Sequence, residues 1–218
     1  IEYGPEATRY QRVNTATDYD TMGFPFSIRW NGVNNNLRTP GPVDFSGSDQ
    51  LTCFFGAQRY RSAQWEEMVT VTDGGQPWNE STNVFQTHVL PNSGMSCGLT
   101  TDNLGGRARS VTLFPAIPER TPFITSIGFD VGVTGNGQMP VGRLTIDGAL
   151  SVAGNPAGTD QNPPMLSQRI NLAGVFAGGS GTLLGETSQV VLIGRTPATQ
   201  EITDTEAFIA KMMEGAIP

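Results

Sequence analysis

Turn-forming residues interrupt this chain about every ten positions, and that spacing limits it to short strands packed into an all-β domain. Its 27 glycines and 15 prolines are spread throughout, with no low-complexity block and no repeat of fixed period. The clearest strand is Gln64 to Thr72, where alternation places Trp65, Glu67, Val69 and Val71 on one face. Gln64, Glu66, Met68, Thr70 and Thr72 then share the other. Further strands are expected at Phe24 to Trp30, Leu51 to Gly56, Val84 to Leu90 and Ser110 to Phe114. The longest β region runs from Phe123 to Val152, with Asn136-Gly137 as its hairpin signal, since both central residues of a type I′ turn need positive φ. Ser167 to Phe176 and Gln189 to Arg195 complete the set.

Helical pattern occurs only at the C-terminus. Thr203-Asp204-Thr205-Glu206 offers a capping box ahead of a stripe of Ala207, Ile209 or Phe208, Met212 and Met213, with Gly215 as the stop. Long coil is expected at 31–49, 91–106 and 154–164, and loops of that length in a compact β domain usually carry function. The expected fold is therefore all-β: a compact antiparallel β-barrel or sandwich with long loops and at most a short C-terminal helix. At 218 residues, positions 1–218 suit a single domain.

The surface chemistry is unusual. Of 13 basic side chains only Lys211 is a lysine, and charged residues make up 15% of the chain. Soluble surfaces usually carry about a quarter to a third. Thr, Ser, Asn, Gln and Gly replace them. Such neutral groups can meet sugar hydroxyls or a partner's backbone without desolvating a full charge. A net charge of -7 with pI near 4.6 argues against nucleic acid. Arg59-Tyr60-Arg61 and Arg107-Ala108-Arg109 are the nearest approaches to a basic cluster. No apolar run approaches the roughly 20 residues of a membrane span. The first residues, Ile1 to Pro5, lack an initiator Met and a signal-type h-region, so the chain reads as a piece of something longer.

Catalytic sets are scarce. A nucleophile-histidine arrangement would have to use His88, the single histidine, which reads as a half-buried or edge position. Cys53 and Cys97 could be bridged or free, and nothing nearby activates either. They cannot supply a structural zinc site with one histidine. Loop carboxylates at Asp18, Asp20 and Asp44 to Asp49 form no known calcium loop. Gly178 to Gly181 lacks the lysine of a phosphate loop. Glu66 and Glu67 are adjacent, so a strand points them to opposite faces and they cannot act as a carboxylate pair. Glu67, on the apolar face, needs an arginine partner or a dimer interface. The expectation is no enzymatic activity, no cofactor and no resident metal.

Few lysines, many Thr, Asn and Gly, short strands and long loops resemble the projecting domains of small non-enveloped virus capsids. The stretches Phe24 to Trp30, Gln64 to Val71 and Thr203 to Phe208 are similar to avian astrovirus capsid spike domains. The resemblance covers the whole chain and has no short diagnostic motif. It implies an all-β spike and a homodimer on the virion surface. It also implies a precursor made in the host cytoplasm and cut by proteolysis. Such a spike attaches to a host-cell receptor, a glycan among the candidates, and is recognised by neutralising antibodies, with no nucleic-acid partner and no membrane insertion. No family binding residue carries over. The loop residues expected to meet a receptor are Asn34, Asn35, Asn36, Asp73, Gln76, Trp78 and Asn92. Two rival classes are a secreted carbohydrate-binding module or lectin-like β domain, and a small hydrolase built on Glu67.

Overall fold

The computed structural model describes residues 2–3, 11–12, 28–32, 36–61, 63–72, 84–91, 94–100, 108–113, 115–130, 132–133, 139, 141–152, 167–174 and 181–213. Two seven-stranded antiparallel sheets face each other, so the fold is a sandwich, not a closed barrel. The front sheet runs β1 (Glu2–Tyr3), β4 (Leu37–Arg38), β13 (Arg169–Leu172), β6 (Glu66–Thr72), β7 (Val84–Val89), β8 (Met95–Thr100), β9 (Ala108–Leu113). The back sheet runs β12 (Ala149–Val152), β11 (Val141–Ile146), β10 (Pro122–Asp130), β5 (Gln50–Arg59), β14 (Leu184–Ile193), β3 (Ile28–Asn31), β2 (Gln11–Arg12).

Alternation along the strands builds the core between the sheets. Phe85 of the front sheet meets Phe129 of the back sheet edge to face at 5.9 Å, and Phe55 meets Phe123 at 6.2 Å. Trp30, Met68, Val71, Leu144 and Leu183 fill the space around them. Each such side chain contributes about 1.5–3 kcal/mol on burial. Cys53 and Cys97 are free and buried on opposite sheets, and desolvation pushes the Cys53 thiol well above its ordinary value.

Phe54 points the other way from Phe55. It joins Ile124 and Val141 on the outer face of the back sheet, beneath Ile202 and Ile209 of α1 (Thr199–Met212) and its C-cap Met213. The helix can approach because Gly56 has no Cβ: one there would collide with Met213 Sδ and lie 2.6 Å from Ile209 Cγ2. Glu206 fastens the helix by a bidentate pair with Arg143 (2.8 and 2.9 Å) and accepts from Ser126 Oγ at 2.6 Å. The helix begins earlier than Thr203. Ala198 is the N-cap, and its N–H donates to Glu201 Oε2 at 2.8 Å. Arg195 holds the same carboxylate through Nη1 and Nη2, at 2.8 and 2.6 Å. Thr203 Oγ1 donates instead to the Thr199 carbonyl inside the helix.

Other expectations need correction. Met95–Thr100, expected within coil, is strand β8, paired along its length with β7 on one side and β9 on the other. The Val141 to Val152 run is itself a hairpin. Asp147 (φ 48°) and Gly148 (φ 76°) supply the two positive-φ positions of its turn. Asn136-Gly137 lies outside the described residues.

Candidate functional site

The alternation expected through Gln64 to Thr72 breaks at Met68. In the β6–β7 ladder Glu66 faces Val89 and Glu67 faces His88, but Val69 faces Thr87, so one extra residue is inserted as a β-bulge. Directly opposed residues share a face. Val89 and Phe85 belong to the core, so Glu66, Val69 and Val71 point inward. Glu67 points outward with His88. The sequence reading had these two carboxylates reversed.

Glu66 is fully buried at one end of the sandwich. Its Oε1 accepts from Arg61 Nε at 2.7 Å and from the Leu184 N–H at 3.0 Å. Arg59 of the back sheet, 1% exposed, lies close enough to interact with it electrostatically. Arg59 donates Nε to the Ile117 carbonyl at 3.0 Å, Nη2 to the same oxygen, and Nη1 to the Leu90 carbonyl at 3.2 Å. Burial raises the Glu66 carboxyl, against the lowering effect of Leu184 N–H and Arg61, and burial lowers Arg59. This is a structural ion cluster inside the sandwich, out of reach of substrate.

A second buried carboxylate, Glu186, sits on the outer face of the back sheet. It accepts from Arg29 Nη2 at 2.9 Å and from the Tyr60 phenol Oη at 2.5 Å. Burial raises the Tyr60 phenol, and Glu186 adds to the effect. Both carboxylates are committed to arginine, and among the described residues no group of three or more His, Cys, Asp or Glu could hold a metal ion.

The outward face of the front sheet is different. Opposite the core residues Val69, Val71, Met95 and Cys97 it carries Thr70, Thr72, Glu67, His88, Ser96 and Asn171. All are polar and all are buried to 8% exposure or less. Arg38 and Arg169, half-buried, lie on the same face. Trp65, just before β6, lays its ring on His88 with centroids 4.1 Å apart and planes 27° apart. Trp65 remains 40% exposed while His88 is 3% exposed. A strap locks this pair. Glu67 N–H donates to the Gly181 carbonyl at 2.6 Å, and Glu67 bridges Thr182 in parallel. Gly181 takes φ 88°, and a Cβ there would lie 3.4 Å from Glu67 Cγ and 3.7 Å from Trp65 Cδ1. An exposed indole backed by an imidazole, on a sheet face whose polar side chains are themselves buried, is a flat apolar platform.

His88 is neither half-buried nor on an edge strand, because β7 lies between β6 and β8. Desolvation lowers its pKa from 6.5 to about 4. The imidazole under Trp65 is therefore neutral at pH 7. Between pH 6.5 and 4 the unfolded chain binds a proton at His88 that the folded chain refuses, so stability falls as pH falls across that window. The loss approaches roughly 3 kcal/mol at its lower end. Thermal melts of the parent and of His88→Gln from pH 7 to pH 4 check this. The parent should lose more stability than the variant over that interval, and parallel curves would refute it.

Of the receptor-contact residues expected from sequence, Asn34, Asn35, Asp73, Gln76, Trp78 and Asn92 lie outside the described residues. Asn36 is described and is a correction. It is 5% exposed, with its amide Nδ2 3.8 Å from where a Cβ on Gly174 would sit, so it is packed inside rather than displayed on a loop. Trp65 and His88 were missed as a site. Period-two reading turned Trp65 inward, and only the bulge and the cross-strand register bring it over His88.

No protein-family model matches the chain, and no curated protein matches it. Solved structures do resemble it in fold. A SAP-like pentraxin from Limulus polyphemus is 13% identical with a TM-score of 0.53, over 81% of this chain and 79% of that one. The CBM40 of a Ruminococcus gnavus sialidase, bound to alpha2,3 sialyllactose, is 13% identical with a TM-score of 0.52, over 78% and 98%. Tailspike protein 2 of an Escherichia coli O157:H7 bacteriophage is 12% identical with a TM-score of 0.61, over 95% of this chain and 27% of that one. These likenesses establish the β-sandwich fold.

Proposed function

We propose that this domain binds glycans on the outer face of its front sheet, with Trp65 as the stacking platform. The observation that carries the reading is the indole stacked at 4.1 Å on a buried imidazole while 40% exposed, above a sheet face whose described side chains are polar. The apolar face of a pyranose stacks on an indole, and its hydroxyls need neutral donors and acceptors at the rim. The fold supports the same reading, since the Ruminococcus gnavus relative is described with sialyllactose bound. The reading is of binding without turnover, and it is supported by the commitment of the buried carboxylates Glu66 and Glu186 to arginine.

The setting we propose is the surface of a viral particle, where the domain attaches to a host-cell receptor as a homodimer. The likeness of Phe24 to Trp30 and Gln64 to Val71 to astrovirus spikes supports it, as does a sandwich of this kind in a bacteriophage tailspike. A secreted carbohydrate-binding module would use the same face and differ only in what carries it.

The test is binding of the multimerised domain to a panel of immobilised glycans, since display in many copies amplifies weak contacts. Trp65→Ala should weaken binding at least tenfold, about 1.4 kcal/mol, while Trp65→Phe retains part of it. If a glycan binds the parent and the alanine variant equally, the platform is misplaced. If none binds, the function is wrong.

A further inference from the structure

We propose that β12 is the dimer edge: two copies of this chain pair their β12 strands antiparallel and join their back sheets into one. The inference rests on the homodimer reading and names the surface that makes it.

Among the described strands, β12 (Ala149–Val152) ends the back sheet on one side and pairs only with β11. An edge strand offers a row of unpaired N–H and C=O groups, and proteins usually guard it with charge, proline, a bulge or shortness. The described strands of the two sheets leave four such edges. β1 and β2 are two residues long, and each includes a charged residue, Glu2 and Arg12. β9 includes Arg109. β12 reads Ala-Leu-Ser-Val, with neither charge nor proline, and its ladder with β11 runs without a bulge. It is the unguarded edge.

Its two large side chains share one face. Leu150 opposes Thr145 and Val152 opposes Arg143, so both lie on the outer face, where Arg143 holds Glu206 of α1. Leu150 is 47% exposed and Val152 is 69% exposed. Aliphatic side chains left open beside an unpaired ladder are what strand addition covers.

A second copy is the occupant that fits. Each chain has a net charge of -7, so two copies repel at acidic surfaces and approach most easily where neither is charged. The nearest charges are Asp147, in the turn before β12, and Arg143, already paired with Glu206. An antiparallel strand is also its own complement. With a two-fold axis at Ser151, Leu150 of each copy stands against Val152 of the other, and all four apolar side chains are covered together.

That geometry has a functional consequence. Directly opposed residues in an antiparallel ladder keep the same face, so the axis is normal to the sheet. Both α1 helices then lie on one side of the dimer and both Trp65 platforms on the other. The pair is bivalent, with its stacking sites facing one way, and a surface rich in glycans is held by avidity. A four-residue pairing covers far less than the roughly 1,200 Å² of a stable interface, so the association is weak, with a micromolar dissociation constant.

The experiment is sedimentation of the intact chain across micromolar concentrations, with substitutions at the exposed positions of β12. The parent should move from monomer towards dimer as concentration rises, with little effect of salt. Leu150→Lys and Val152→Lys bring like charges together across the axis and should each weaken association at least tenfold. Their melting temperatures should match the parent's, because both side chains are exposed. Leu150→Cys, Ser151→Cys and Val152→Cys, made singly, give an independent readout with little background, since Cys53 and Cys97 are buried. Under diamide at least one of the three should yield a dimer that urea leaves intact and dithiothreitol breaks. If parent and both lysine variants associate equally, the contact lies elsewhere: the β12 inference is overturned and the homodimer reading survives. A parent that stays monomeric throughout overturns both. Neither result bears on the Trp65 platform, which is tested by glycan binding of the multimerised domain.

Discussion

Gly185→Ala should leave no folded domain at 25 °C. Gly185 lies in β14 between Arg59 of β5 and Trp30 of β3, at the centre of the back sheet. A Cβ there would collide with the Gln58 carbonyl oxygen and lie 3.0 Å from Arg59 Cα. Both obstacles are backbone, so no rotamer change relieves the clash. The strands must part, and β5 and β14 are the ladder that joins the two halves of that sheet. Typical domains have only about 5–15 kcal/mol in hand. Separating a central ladder and opening the Trp30–Phe55 core beside it removes a large share of that. Circular dichroism and amide exchange of the variant are the readouts. A cooperative melt within about 5 °C of the parent would show that the sheet tolerates the methyl group.

Arg59→Met should cost about 3–5 kcal/mol, the usual penalty for removing one partner of a buried charge cluster. The loss leaves the Ile117 and Leu90 carbonyls without their guanidinium donors and leaves Glu66 with Arg61 alone. Adding Glu66→Leu to the same chain should recover part of the stability, because an apolar pair needs no compensation in a dry site. The coupling between the two substitutions should therefore be well above the few tenths of a kcal/mol seen for independent sites. Denaturant melts of the two single variants and the double variant measure it. Strict additivity would mean that Arg59 and Glu66 do not act as a unit.

The class of fold could be read from the sequence because it depends on turn spacing and alternation, which are local. Phe54 and Phe55 pointing to opposite faces, and the short C-terminal helix, follow from the same local rules. What was missed depends on pairing. Nothing in Gln64 to Thr72 announces a bulge at Met68; it becomes visible only when Val69 is set against Thr87. That one inserted residue exchanges Glu66 and Glu67 between interior and surface, and it also hides the Trp65 platform from a period-two reading. Met95–Thr100 looked like coil because Ser96 and Gly98 have weak strand preference, yet pairing on both sides with β7 and β9 makes it a strand. The Asp147-Gly148 turn carried a usable signal, equal in kind to Asn136-Gly137. The receptor residues expected on loops shared one assumption, that binding belongs to loops. Asn36 shows its cost, since a position in a coil-like stretch proved to be interior.

Helix α1 covers the outer face of the back sheet and carries the chain to Met213 there. The Trp65 platform lies on the opposite side of the sandwich. On the proposed reading the helix side is for mounting and the Trp65 side for display, and a tether joined through the helix would hold the platform outward. Coupling the protein to a sensor chip or a nanoparticle by that helix should leave the platform unshaded, whereas attachment through residues of the front sheet would bury it against the support.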